Sequence, residues 1–200
     1  LNDHDKVVID HEARNDYPLS FAQQGLWFIE QFEQGTDAYH IPIFVKLNGS
    51  NIETLKAAFN VAIDRHPVLK TVYANDPVKG DYQRVLTSQV DIETIHVEDC
   101  LTTMVNQHIA LPFDLTAAPA IRLYHYRVGD AEYLLMLFHH IAFDGWSTDV
   151  LMQELALVYQ GAELPTLDIN YADYALWQRE HLQGAYRDKL LAYWQQQLSG

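Results

Sequence analysis

A layered α/β sandwich, a mixed sheet packed with helices, is the fold class this sequence predicts, and three observations lead to it. Apolar residues recur at helical spacing in several separate stretches, compact strand-like runs stand between them, and two of those runs are parted only by Gly129-Asp130. Neighbouring strands with no helix between them argue against strict βαβ alternation and for a sheet of mixed order. With 48% of its 200 residues hydrophobic, the chain can bury a core of its own.

Residues 1–16 are polar and aperiodic and read as an inter-domain linker, with order starting near Tyr17. In PLSFAQQGLWFIEQFEQG, Ser20 followed by Gln23 is a capping box, while Ala22, Leu26, Ile29 and Phe32 fall at helical spacing and Gly35 offers a stop. YHIPIFVKLNG alternates like a strand, and Pro42 places it at a sheet edge or a strand start. Ser50 and Glu53 predict a second capping box for a helix that buries Ile52, Leu55, Phe59, Ala62 and Ile63 and ends before Pro67, with Arg65 in its last turn.

VLKTVYA reads as a strand, and EDCLTTMVNQHIALP as a helix turning Leu101, Met104, Val105, His108 and Ile109 inward. AIRLYHYRV and EYLLMLFHH read as strands joined about Gly129-Asp130 by a hairpin or a slightly longer turn. STDVLMQELALVYQG is a helix with Leu151, Leu155 and Val158 on one side and Gly161 as its terminator. Two aromatic-rich helices follow, with Tyr174 and Trp177 three apart and Leu190, Tyr193, Trp194 and Leu198 on one face, placed to fill core or interface. No internal repeat or low-complexity tract interrupts this order.

Thirteen basic against 27 acidic residues give a net charge of −14, which repels phosphate backbones and anionic lipid surfaces, so neither nucleic acid nor a membrane is an expected partner. The single cysteine, Cys100, rules out an intrachain disulfide, fits a reducing, cytoplasmic setting and reads as a small buried helix residue. No run approaches the ~20 apolar residues of a membrane span, and the first residues lack the blocks of a signal peptide. A start at Leu1 and an end at Leu198-Ser199-Gly200 suggest a piece of a longer chain. G-x-G-x-x-G, P-loop and G-x-S-x-G patterns are all missing, which leaves phosphate-cradling and elbow-serine chemistry unsupported.

The stretch most expressive of chemistry is LMLFHHIAFDGWSTD, residues 135–149, in which an apolar strand runs into His139-His140 and Asp144-Gly145 follow. Adjacent strand residues face opposite ways, so one histidine can work in a cavity while the other supports it. Three readings compete. His139, His140 and Asp144 are candidate metal ligands, though no further His or Cys cluster completes a shell. The histidines could instead be inert core imidazoles satisfied by backbone groups. Or the segment is an acid–base site, with histidine titrating near neutrality and glycine letting a substrate approach the backbone. Residue types and spacing alone leave the three open.

FHHIAFDGWS resembles the HHxxxDG signature of the condensation domains of nonribosomal peptide synthetases. SFAQQGLWFIEQ resembles that family's first signature, RHPVLKTVY its second and NYADYALWQ its fourth, in the family's order; PFDLTAAPAIRLYHY matches its usual approach to the histidines. Pro67 and Lys70 depart from the glutamate and arginine often found in the second signature.

The resemblance implies a chloramphenicol-acetyltransferase-like fold in which two lobes enclose a tunnel, with residues 17–200 forming the N-terminal lobe and the second lobe absent. It implies amide bond formation between an acyl or peptidyl thioester on one carrier (thiolation) domain and an amine on another, with an adenylation domain in the same synthetase. Phosphopantetheine is then carried by the partner carrier proteins, and no cofactor or metal is bound by this chain. It places His140 at the tunnel as the catalytic residue, pairs Asp144 with Arg65, gives Gly145 the backbone conformation after the acid, and leaves His139 to orient the loop from the reverse face. DAYHIP after the first signature looks like domains accepting an L-configured donor. Alternatives within reach are an epimerisation domain, a catalytically silent scaffold lobe, and a free-standing acyltransferase using coenzyme A.

Overall fold

The computed structural model describes residues 8–33 and 35–199; the first seven residues of the expected linker, and Gly200, lie outside the described residues. In chain order the elements are β1 (Asp16–Pro18), α1 (Phe21–Phe32), β2 (His40–Leu47), α2 (Ile52–Arg65), a 3₁₀ turn (Pro67–Lys70), β3 (Thr71–Asp76), β4 (Gly80–Val85), β5 (Ile92–His96), α3 (Leu101–Ala110), β6 (Ile121–Val128), β7 (Ala131–His139), α4 (Gly145–Tyr159), α5 (Tyr171–His181) and α6 (Gly184–Leu198).

The strands form a three-stranded sheet, order β1-β4-β3, and a four-stranded sheet, order β2-β7-β6-β5. In the larger sheet β2, β7 and β6 are antiparallel, whereas β5 lies parallel to β6, giving the mixed order expected. Pro42 sits on β2, an edge strand, where its missing N–H costs no ladder bond on the open side. Gly129, at φ 57, makes the left-handed turn of the β6–β7 hairpin.

β7 is covered on both faces, and its alternation distributes side chains between two cores. Leu134, Met136 and Phe138 pack with Phe59 and Ile63 of α2 and Leu151 and Leu155 of α4. Leu135 and Leu137 pack on the other face with Trp27 of α1, Tyr73 of β3 and Val105 of α3. This two-sided burial explains why β7 reads as a continuous apolar run rather than an alternating one.

Several local expectations hold. The Ser20–Gln23 capping box opens α1 in both directions. Arg65 ends α2, α3 turns Val105 inward, and Gly161, at φ 88, follows α4.

Others are corrected. The helix expected from Ser50 and Glu53 is capped by Asn51, whose side chain accepts from the Thr54 N–H at 2.9 Å. Val68 to Lys70 belong to the 3₁₀ turn, because Pro67 lacks the N–H that would start a strand ladder and its fixed φ suits a helical first turn. In α1 the fully buried residues are Gln23 and Trp27, while Phe32 of the expected apolar stripe is 80% exposed. Cys100 is exposed at the N-cap of α3, not buried within a helix. The α6 aromatics Tyr193 and Trp194, expected in core or interface, are exposed and so are not part of the core. Residues 8–15 have no regular structure, yet they are fastened: the His11 ring and the Glu12 N–H both reach the buried Asp173 carboxyl of α5, at 3.1 and 3.2 Å.

Candidate active site

Strand alternation sets the roles of the two histidines. His139 continues the face of Leu135 and Leu137 and is completely buried. The chain then leaves the strand in a turn over residues 140–142, and the exposed ring of His140 faces the other way, into an open cavity of about 640 Å³.

Both ring nitrogens of His139 are engaged. Nδ1 accepts the Ile141 N–H at 3.1 Å, so the proton is on Nε2, which donates to Oε1 of Glu30 on α1 at 2.9 Å. Burial pushes the His139 pKa down, against the opposing pull of Glu30. Backbone bonds fasten the same turn: His139 N–H to Ala120 O at 3.0 Å, His140 N–H to Tyr39 O at 2.9 Å, and Ala142 N–H to His139 O at 3.1 Å. Ile141 and Phe143 are buried, and Phe143 stacks on Phe138 with ring centroids 3.9 Å apart. His140 is thus a free ring on a rigid mount.

Asp144 is exposed and serves as the N-cap of α4. Its Oδ1 accepts from the Ser147 N–H at 2.8 Å and from the Ser147 hydroxyl at 2.7 Å. The Ser147 side-chain hydrogen bond, followed by the backbone one, holds its carboxyl below the usual carboxylate range, and nearby His140 adds to the shift. The expected Asp144–Arg65 pair is not formed. Arg65 Nε donates instead to Oε1 of Glu154 on α4 at 2.8 Å, and Oε2 of the same residue lies 2.7 Å from His66 Nε2. The reason is geometric: α2 packs along α4, which brings Glu154 beside the end of α2, while the Asp144 oxygens are occupied in starting their own helix. Among the described residues, Arg65 Nη1 is buried without a hydrogen-bond partner.

Gly145 is also corrected. It is the first residue of α4 without a positive φ, and a Cβ there would meet nothing within 4 Å, so the backbone does not require glycine. The structure brings His140, Arg65 and Asp144 to one cavity and puts His139 behind it. Among the described residues no group of three His, Cys, Asp or Glu is arranged to hold a metal ion.

The cavity gathers all four sequence signatures, with Gln23 from the first, Arg65 and His66 from the second, His140 and Asp144 from the third, and Tyr171 from the fourth. The first and fourth are bonded directly: Ser20 Oγ lies 2.9 Å from the Tyr171 hydroxyl and Gln178 Oε1 accepts the Phe21 N–H at 2.8 Å; just outside them, Arg179 Nε donates to Leu19 O at 2.7 Å. Sequence reasoning missed Glu30 and Glu154. Glu30 carried a signal, since it falls three residues after Trp27 on the buried side of α1; Glu154 carried none.

This is the chloramphenicol-acetyltransferase-like fold, and comparison with known proteins narrows the class. The family model for the Condensation domain matches residues 13–200, and the chain belongs to that family. It is 35% identical to a linear gramicidin synthase of Brevibacillus parabrevis, over 92% of this chain and 4% of that protein. It is 33% identical to a plipastatin synthase of Bacillus subtilis, over 94% of this chain and 8% of that protein. Among solved structures, the starter condensation domain of rhizomide synthetase RzmA superposes with a TM-score of 0.77 at 21% identity, over 92% of this chain and 48% of that one. The X-domain from teicoplanin biosynthesis superposes with a TM-score of 0.82 at 23% identity, over 95% and 45%. The chain therefore spans less than half of either solved chain and a small fraction of the synthetases.

Proposed function

We propose that this chain is the N-terminal lobe, residues 17–200, of a domain that joins a thioester-bound acyl or peptidyl donor to an amine in nonribosomal peptide biosynthesis. The observation that carries the reading is the cavity in which residues from four signature segments surround the exposed His140 ring.

The chemistry follows from that ring. The amine nitrogen attacks the thioester carbonyl, a C–N bond forms, the nitrogen becomes cationic, and the C–S bond breaks as the thiolate leaves. A free α-amino group has a pKa near ~8, so a neutral fraction exists at pH 7 and little base is needed before attack. The proton shed afterwards passes to the imidazole of His140 and on to the thiolate, leaving amide and thiol. Such proton transfer contributes ~10²–10⁴ in rate, whereas holding two tethered reactants in register is worth ~7–11 kcal/mol, so positioning is the larger effect.

Donor and acceptor would arrive on phosphopantetheine arms of two carrier domains, with an adenylation domain in the same cytoplasmic synthetase. The cavity is open, and the second lobe would close it. No helix among the described residues is long and apolar enough to cross a membrane.

The test is His140→Ala in the parent synthetase, with amide product from loaded carriers followed by mass spectrometry. A rate loss of ~10²–10⁴ is expected. An unchanged rate overturns the assignment. Exchange of the donor α-proton for deuterium without amide product points to epimerisation, and turnover of a soluble thioester without carriers points to a coenzyme A acyltransferase.

A further inference from the structure

Behind the histidine motif lies a second cavity of about 520 Å³, lined by Trp27, Glu30, Phe113 and Asp114 among others, and it is not the one into which His140 opens. Glu30 is an acid with a side chain only 9% exposed, and it does not line the front cavity. Its partner is His139 Nε2, 2.9 Å away, on a ring that is otherwise enclosed by Phe113 and His40 at centroid distances of 5.7 and 6.1 Å.

A neutral imidazole has one N–H and one lone pair, and the two sides of this ring demand opposite things of it. The Ile141 N–H, immediately after His140, needs the lone pair on Nδ1. With the other tautomer, two N–H groups would face each other across 3.1 Å and the bond would be lost. The proton must therefore stay on Nε2, and the oxygen that keeps it there belongs to Glu30.

Resting on the function proposed above, we infer that Glu30 is a positioning residue for amide formation. By accepting the Nε2 proton of His139 it selects the tautomer that takes the Ile141 amide, and so fixes the turn that presents His140 to the cavity. A side chain on α1, on the far side of the sheet end, thereby aims a ring it never touches. What matters is an acceptor oxygen at this place, so an amide serves where a thioether does not.

Histidine ¹⁵N NMR on the 200-residue chain tests the tautomer without any variant. His139 should show a protonated Nε2 and a lone pair on Nδ1, and the reverse pattern overturns the inference. In the parent synthetase, Glu30→Met should lower kcat by roughly 10²-fold with KM for the loaded carriers little changed, as expected when a reacting group is displaced by about 1 Å. Glu30→Gln should recover most of that loss and keep the His139 NMR pattern. Full activity in Glu30→Met, or equal losses in both variants, overturns the inference. Should Glu30→Met fail to fold, the native tautomer and the rate of Glu30→Gln decide it. His140→Ala in the same assay separates the two readings: if it is inactive while Glu30→Met is fully active, only the role of Glu30 falls; if it is fully active, the reading of the site falls.

Discussion

The two sides of the β7 end make opposite use of the same side chain. Behind the strand, His139 is fully buried with both nitrogens bonded. In front, the ring of His140 is exposed to the cavity and, among the described residues, only its backbone is tied down. One histidine is a structural fastener and its neighbour is the group it holds in place. On the proposed function, stability and reactivity are divided between adjacent residues, and substitutions should divide them too.

The largest effect expected is on folding. His139→Ala should cost about 3–5 kcal/mol, since it leaves Glu30 buried without its partner and releases the Ile141 N–H. His140→Ala, at an exposed ring, should stay within about 0.5 kcal/mol. Urea unfolding of both variants measures the contrast, and similar losses would break it.

A second comparison sets the two acids near Arg65 against each other. Glu154→Ala strips Arg65 and His66 of their carboxyl partner where the Arg65 and Glu154 side chains are only 14% and 12% exposed, and should cost about 3 kcal/mol. Asp144→Ala removes an exposed N-cap and should cost about 1 kcal/mol. The reverse order would show that Asp144, not Glu154, holds the guanidinium.

Acid should act from the buried side. The pKa values of His139, His125 and His108 are all lowered, chiefly by burial. The unfolded chain then takes up these protons first, so their contribution is intact above a pH of about 6.5 and is lost as pH falls through the lower folded values. Thermal melts between pH 7 and pH 5 should show Tm falling over that window, and a flat profile would mean these rings are wetter than the structure places them. The smallest effect belongs to Gly145→Ala, which at a negative-φ first helical position with open space around its Cβ should raise stability by about 0.5 kcal/mol in denaturant titrations.

Much of the fold was legible because local chemistry and tertiary need agree there. The Ser20–Gln23 box, the Gly129 turn and the unbroken apolar run of β7 each have a single good solution, and the structure adopts it. β4 and β5 were not legible, since GDYQRV and IETIH are short and polar and become strands only through their pairing partners. In the same way the inward face of α1 is read wrongly from hydrophobicity, because Gln23 is buried against Gln83, whose Nε2 donates to Gln23 Oε1 at 2.9 Å, while Phe32 is left outside.

At the site, residue order along a strand was enough to place His139 and His140 on opposite faces, because side-chain alternation is a property of the extended backbone itself. The family resemblance already put His140 at the cavity and His139 behind it, but giving Arg65 to Glu154 rather than Asp144 required the packing of α2 against α4, far away in sequence. Hydrogen bonds and ion pairs go to whichever partner the assembled elements bring within about 3 Å, and that proximity is set by the whole fold rather than by any single stretch of chain.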